Sequence, residues 1–197
     1  ISAPKGLSPV KAKVIGVIEN QAPTKALEFD LPVEQGEVQL VGDVCHLSLV
    51  ERHRGTGAVV NGFVSGFGYT GSMAIASSVA HDSHHMIVVG TNQGMMASAA
   101  NRLGEVGGGV SVWKDGAEVA LVELPIAGLM SDSKASEVAV RAQAIVSAMI
   151  DCGCTLNNAY MQHTLLALVV IPELRISDLG LVDVNRFELT KVLEPNS

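Results

Sequence analysis

The chain has 197 residues, 48% of them hydrophobic and only 17% charged, with 20 glycines and a net charge of −7. That profile excludes a disordered or fibrous chain and describes one globular domain with a sizeable core, spanning 1–197. The acidic balance, with no Lys/Arg run and no interleaved aromatics, argues against a nucleic-acid partner. The longest apolar run, LLALVVI at 165–171, is too short to span a bilayer, and the opening ISAPKGLSP carries no signal pattern, so a membrane partner is not expected.

Three cysteines, Cys45, Cys152 and Cys154, form no disulfide framework and suit a reducing, cytoplasmic setting. Cys152-Gly153-Cys154 lacks a second ligand pair and reads as a buried helix end rather than a zinc site. The chain opens on Ile1 rather than Met, which points to processing, a truncation or a fragment of a longer product.

In chain order, KAKVIGVIE (11–19) and KALEFDLPV (25–33) are rich in β-branched residues and read as strands about the turn-prone NQAPT, and VCHLSLVER (44–52) alternates as a third. The stretch 53–72 holds six glycines in twenty residues and is expected to bend and break rather than form regular structure. MAIASSVA (73–80) and HMIVVG (85–90) read as buried strands. Thr91 or Asn92 then caps a helix with Met95, Ala99, Leu103 and Val106 on one face, stopped by Gly107 to Gly109. Asp115-Gly116 between alternating runs predicts a hairpin over 109–124. Val138, Ala142, Ile145, Met149 and Cys152 form the stripe of an amphipathic helix ended by Gly153, and a shorter helix covers NNAYMQHTLLAL before Pro172. The fold class is α+β, a mainly antiparallel or mixed sheet packed with two or three helices.

The chemistry-bearing residues gather in two places. SSVAHDSHHMIVVG (77–90) places His81, Asp82, His84 and His85 between two apolar runs. If extended, it would put His81 and His85 on one face and Asp82 and His84 on the other; on a helical turn His81 and His85 would meet. Two imidazoles do not complete a metal site, and His53 or Glu51 in VERHRG are the natural third ligands, so the metal candidates are His53, His81 and His85. Glu51, Arg52 and His53 end a strand just before a glycine turn, a placement that suits a solvated edge or a site on a rigid scaffold. H-x-H, H-E-x-x-H, the deaminase H-x-E…P-C-x-x-C set, a phosphate loop and a nucleophile elbow are all absent from the sequence. The residues alone offer a polar site and name no reaction.

Five separated motifs, VIENQAPTKALEFDLPVEQGEV, VERHRGTGAVVNGFVSGFG, AIASSVAHDSHHMIVVGTN, LPIAGLMSD and VIPELRISDLGLVDV, together and in this order resemble the C-terminal domain of adenine deaminase, a member of the amidohydrolase superfamily. The resemblance runs from about Val14 to Val184. It departs at His85, where the family pattern carries Asn, and this leaves Glu51, Arg52, His53, His81, Asp82 and His84 as the candidate substrate-binding or active-site-facing residues. The resemblance implies a parent hydrolase of purine salvage that converts adenine to hypoxanthine and ammonia. Its divalent metal centre (Mn, Fe or Zn) lies in a barrel that precedes this region, and no metal is assigned to this chain. The implied partners are that barrel, adenine and further copies in a homo-oligomer. The domain's role is then to cover or support the active site; a structural or oligomerisation module, or a stand-alone metal- or purine-binding domain, are the alternatives. The chain by itself is expected to lack deaminase activity.

Overall fold

A computed structural model of the chain describes residues 1–4, 6 and 8–194. The strands are β1 (Val10–Val17), β2 (Thr24–Leu31), β3 (Val33–Glu34), β4 (Glu37–Val38), β5 (Cys45–Val50), β6 (Val59–Ser65), β7 (Met73–Ser77) and β8 (Met86–Gly90). Helix α1 (Gln93–Val106), β9 (Gly109–Lys114), β10 (Ala117–Glu123), α2 (Ala135–Asp151), α3 (Ala159–Leu165), β11 (Leu174–Ser177), β12 (Gly180–Asp183), β13 (Glu188–Thr190) and β14 (Leu193–Glu194) follow. The expected α+β class is the observed one. Among the described residues no helix is long and apolar enough to cross a membrane.

The main sheet runs β10-β9-β7-β8-β5-β6-β1-β14, with β2 on the other edge of β1. Only β1 and β6 pair in parallel among its described strands. Both faces are covered: α1 packs over β7, β8 and β9, while α2, α3 and the β11–β12 hairpin cover the other side. Burial on two faces explains why β7 and β8 are apolar throughout rather than alternating. In β5, covered on one face more fully than on the other, the alternation survives: Cys45, Leu47 and Leu49 enter the larger core, and His46, Ser48 and Val50 point to the α1 side.

The 109–124 hairpin forms as expected. Asp115 and Gly116 take φ of 50° and 86°, the doubly positive turn whose twist matches the flanking strands. Asn92, and not Thr91, caps α1 by accepting from the Met95 amide at 3.0 Å; the Thr91 hydroxyl is committed to Gly71 O at 2.7 Å. Two expectations need correction. The glycine-rich stretch does not break throughout, because Val59, Val60, Phe63 and Val64 build a regular β6 that pairs with β5 along its length and with β1 on its other edge; only the flanks turn. In α2, Ala142 is exposed. The buried set is Ile145, Ala148, Met149 and Cys152 in the C-terminal half; the first half reaches the sheet through partly buried Val138 and the Arg141–Glu123 ion pair.

Two interior polar groups hold unusual positions. Arg175, 1% exposed, donates to Ile171 O (2.8 Å), Leu165 O (2.9 Å), Ala22 O (2.5 Å) and Pro172 O (3.4 Å), and burial pushes its guanidinium down to about 10, still cationic at neutral pH. His163 of α3 is fully buried beside Phe67, neither ring nitrogen has a partner among the described residues, and burial pushes it down to about 3.

Replacing Arg175 by Met strips four carbonyls of their donor and is expected to cost roughly 3 kcal/mol, read as a lower urea midpoint at unchanged slope. For His163 the folded pKa lies below the ordinary 6.5, so only the unfolded chain takes up the proton as pH falls from 6.5 toward about 3, and stability falls across that window. His163→Leu should therefore gain on the parent chain as pH drops from 7 to 4; a constant difference in urea midpoint would refute this.

Candidate functional site

Antiparallel pairing gathers the candidate residues at one end of the sheet. Val50 pairs with Met86, Ser77 with Ile87 and Glu123 with Gly109, so the loops 51–58, 78–85 and 124–134 emerge side by side. The β11–β12 turn adds Asp178.

Glu51 is a staple. Its carboxylate accepts from the amides of His53 (2.6 Å), Arg54 (2.7 Å) and Thr56 (3.0 Å) and from the Thr56 hydroxyl (2.8 Å), closing the 51–56 loop. These bonds, with those from Thr56 and Arg54 foremost, pull it down to about 2, so it is a fixed anion with its lone pairs occupied.

Arg52 is the clasp between loops. Its Nε donates to His84 O at 2.5 Å and its Nη2 to Ala127 O at 3.0 Å. Gly128 takes φ 74°, a conformation L side chains rarely adopt, and a Cβ there would also fall 2.8 Å from Nη1, so glycine suits the point where the 126–130 turn lies against the guanidinium. The same turn is held from behind by Ser78, whose hydroxyl donates to Gly128 O at 2.6 Å.

The segment between β7 and β8 is neither a strand nor a helix but a tight turn, because local bonds close it. His84 takes φ 53°, its amide donates to Ala80 O (2.7 Å) and its ring Nδ1 accepts from the Ala80 amide (3.2 Å), while Thr164 O of α3 accepts from the His81 amide (3.0 Å). This turn breaks both face patterns expected from regular structure and makes two ring pairs instead. His81 meets His84 edge-on at 5.1 Å, and His53 lies against His85 at 4.7 Å. The His53 Nε2 contacts Ser83 O at 2.6 Å; a carbonyl only accepts, so that nitrogen carries the proton. Burial foremost, then the neighbouring His81 and Arg52, lowers His84 from its ordinary range against the opposing pull of Asp82. Asp82 is exposed at the tip.

His85, 7% exposed, places Nε2 at 3.7 Å from Asp178 Oδ2, and its buried Nδ1 has no partner among the described residues. Of the metal candidates, His53 and His85 share one ring pair and His81 belongs to the other. Among the described residues no three His, Cys, Asp or Glu side chains form a group that could hold a metal ion, so the residues present do not fit a divalent centre.

Sequence reasoning missed Asp178 and the 126–130 turn. Both lie inside the quoted motifs VIPELRISDLGLVDV and LPIAGLMSD, and the signal available was an apolar turn, Ile126-Ala127-Gly128-Leu129-Met130, that no core position demanded. In the structure Ile126 and Met130 are 45% and 58% exposed beside the Arg52 clasp.

Fold and site together define an α+β domain whose sheet end carries a clasped, histidine-rich rim next to an exposed apolar turn. Residues 21–188 match the family described as "Adenine deaminase C-terminal domain". Curated proteins named adenine deaminase are similar throughout: that of Roseobacter denitrificans is 72% identical over 194 residues (98% of this chain, 32% of the relative). The protein of Ruegeria pomeroyi is 70% identical over 198 residues (99% and 33%), and that of Moorella thermoacetica 43% over 195 residues (98% and 33%). The chain belongs to the adenine deaminase C-terminal domain family. It spans about a third of the length of the curated relatives it matches.

Glu51→Ala is expected to raise amide exchange at His53, Arg54 and Thr56 while leaving β5 and β8 protected. Because the folded pKa is depressed, the same protection is present above the ordinary 4.5 and is lost as pH falls through about 2. Unchanged protection factors in the variant would show that the loop is held by something else.

Proposed function

We propose that this chain serves as the C-terminal domain of an adenine deaminase that hydrolyses adenine to hypoxanthine and ammonia, and that its histidine rim helps cover the active site. The metal-bearing amidohydrolase barrel of that enzyme is read as another part of the protein, and no chemical step is assigned to residues of this chain. The observation that carries the reading is the Arg52 clasp: it fixes His84 and the 126–130 turn to one frame, so hydrogen-bonding imidazoles and exposed Ile126 and Met130 form one continuous surface. A rim of that make-up suits an interface that is apolar where it docks and polar where it meets substrate.

On this reading His81 and His84 offer ring nitrogens to a heterocycle, Asp82 stands beside them at the tip, and His53 and Glu51 hold the loop. Arg52 is a positioning residue. The chain without the barrel carries no turnover of its own.

A second reading, an oligomerisation module, draws on the outer face of α2, where Val140 and Ile150 are 72% and 58% exposed. The two separate in the full-length enzyme. His81→Ala and His84→Ala are expected to lower kcat/KM for adenine about tenfold or more, about 1.4 kcal/mol of transition-state stabilisation, with an unchanged circular dichroism spectrum. Unaltered turnover by both folded variants sinks the covering role. Dissociation of the oligomer by Val140→Asp together with Ile150→Asp would then favour the module.

A further inference from the structure

The rim rings are those of His53, His81, His84 and His85, and main-chain bonds engage two of them. His53 spends its Nε2 proton on Ser83 O at 2.6 Å. The His84 ring is engaged the other way round: the Ala80 amide can only donate, so across 3.2 Å the His84 Nδ1 must supply a lone pair. A neutral imidazole carries one N–H, and with Nδ1 bare that proton lies on Nε2. His84 Nε2 has no hydrogen-bond partner among the described residues and is not one of their buried unpartnered atoms, so its N–H opens to the surface of the rim. Among the described residues no hydrogen bond fixes the ring of His81 or His85 in this way.

The bond to Ala80 also decides what His84 is unsuited to do. An imidazolium holds N–H on both nitrogens, and its Nδ1–H would face the Ala80 N–H across 3.2 Å. Taking up a proton therefore costs the ring its place in the turn, whose other tie is the His84 amide donating to Ala80 O at 2.7 Å. Burial foremost, then His81 and Arg52, disfavour the charged ring as well, against the pull of Asp82. A group that must open its own turn to accept a proton is a poor base and a good fixed donor. Its backbone is held besides, since Arg52 Nε donates to His84 O.

We infer that His84 serves the covered site through Nε2–H, as a specificity-determining donor that takes a hydrogen-bond acceptor of the bound molecule and turns away an N–H or ammonium presented there. The inference rests on the covering role proposed above and adds to it which nitrogen acts and in which direction. Two substitutions divide the ring's two bonds between them. Asparagine tolerates the φ of 53° that His84 adopts, and its Oδ1 falls where Nδ1 lies, so it keeps the turn and lacks the outer donor. Glutamine carries an amide nitrogen out to the region of Nε2 and has no acceptor at Nδ1.

The test uses the full-length enzyme labelled with ¹⁵N in its histidine rings. At pH 7 the His84 ring, assigned by its loss in the variants, is expected to show the neutral Nε2–H tautomer. His84→Asn should keep the Ala80 amide protected from exchange yet lower kcat/KM for adenine about tenfold or more, as His84→Ala does. His84→Gln should speed exchange at Ala80 while holding kcat/KM within about threefold of the parent. A proton on Nδ1, or turnover restored by asparagine and lost with glutamine, would overturn the inference and leave the covering role standing, with His84 acting only through its turn. Parent-like turnover in the alanine, asparagine and glutamine variants alike would instead remove the covering role, and this inference with it. If His84→Gln does not fold, the ring spectrum and His84→Asn decide between these outcomes.

Discussion

The buried guanidinium of Arg175 sets the constraint on which the rest of the site rests. A cation this deep needs its donors satisfied, and here the acceptors are main-chain carbonyls of Ala22, Leu165, Ile171 and Pro172 rather than a carboxylate. Those carbonyls belong to the β1–β2 turn, the end of α3 and the approach to β11. One side chain therefore fixes α3, whose Thr164 carbonyl anchors the His81 amide, and aligns β11, whose following turn brings Asp178 to His85. Thr24 adds to the same join by donating its hydroxyl to Leu174 O at 2.9 Å.

A second arginine works at the surface in the same manner. Arg52 also spends its donors on carbonyls, those of His84 and Ala127, and so ties loops from three different connections into one rim. The glycines at 108 and 128 let this happen: a Cβ on Gly108 would fall 2.4 Å from the Gly128 Cα, so the two turns nest only without side chains. The result is a rim whose polar groups are positioned by backbone contacts and not by one another. Ion pairing there is slight, the 3.7 Å approach of His85 to Asp178 being its one His–carboxylate contact among the described residues.

Much of the fold was legible in the sequence. Strands β1, β2, β5, β7 and β8, the 109–124 hairpin and all three helices follow from alternation, β-branched content, capping and glycine placement, all of which act over a few residues. The candidate site was legible as a list: Glu51, Arg52, His53, His81, Asp82 and His84 do lie together at one sheet end. Their roles were not. Glu51, expected as a possible third ligand or a site-facing residue, is a loop staple, because its bonding partners are mostly amides whose direction only the turn sets. His81 and His85, equally spaced for a strand or a helix, part company because the His84 ring and amide close a turn on Ala80. Asp178 sits more than ninety residues away in sequence, and no local pattern marks it.

By itself the sequence determined the α+β class, the helices and most of the longer strands, the family to which the chain belongs and the two clusters of polar residues, because these depend on local periodicity and on motifs in fixed order. Only the tertiary structure decided how β6 survives a glycine-rich stretch, which residues of α2 are fully buried and which histidines face each other. Those outcomes turn on long-range register and on where buried donors find acceptors, and a hydrogen bond between residues 150 positions apart leaves no trace in the pattern around either one.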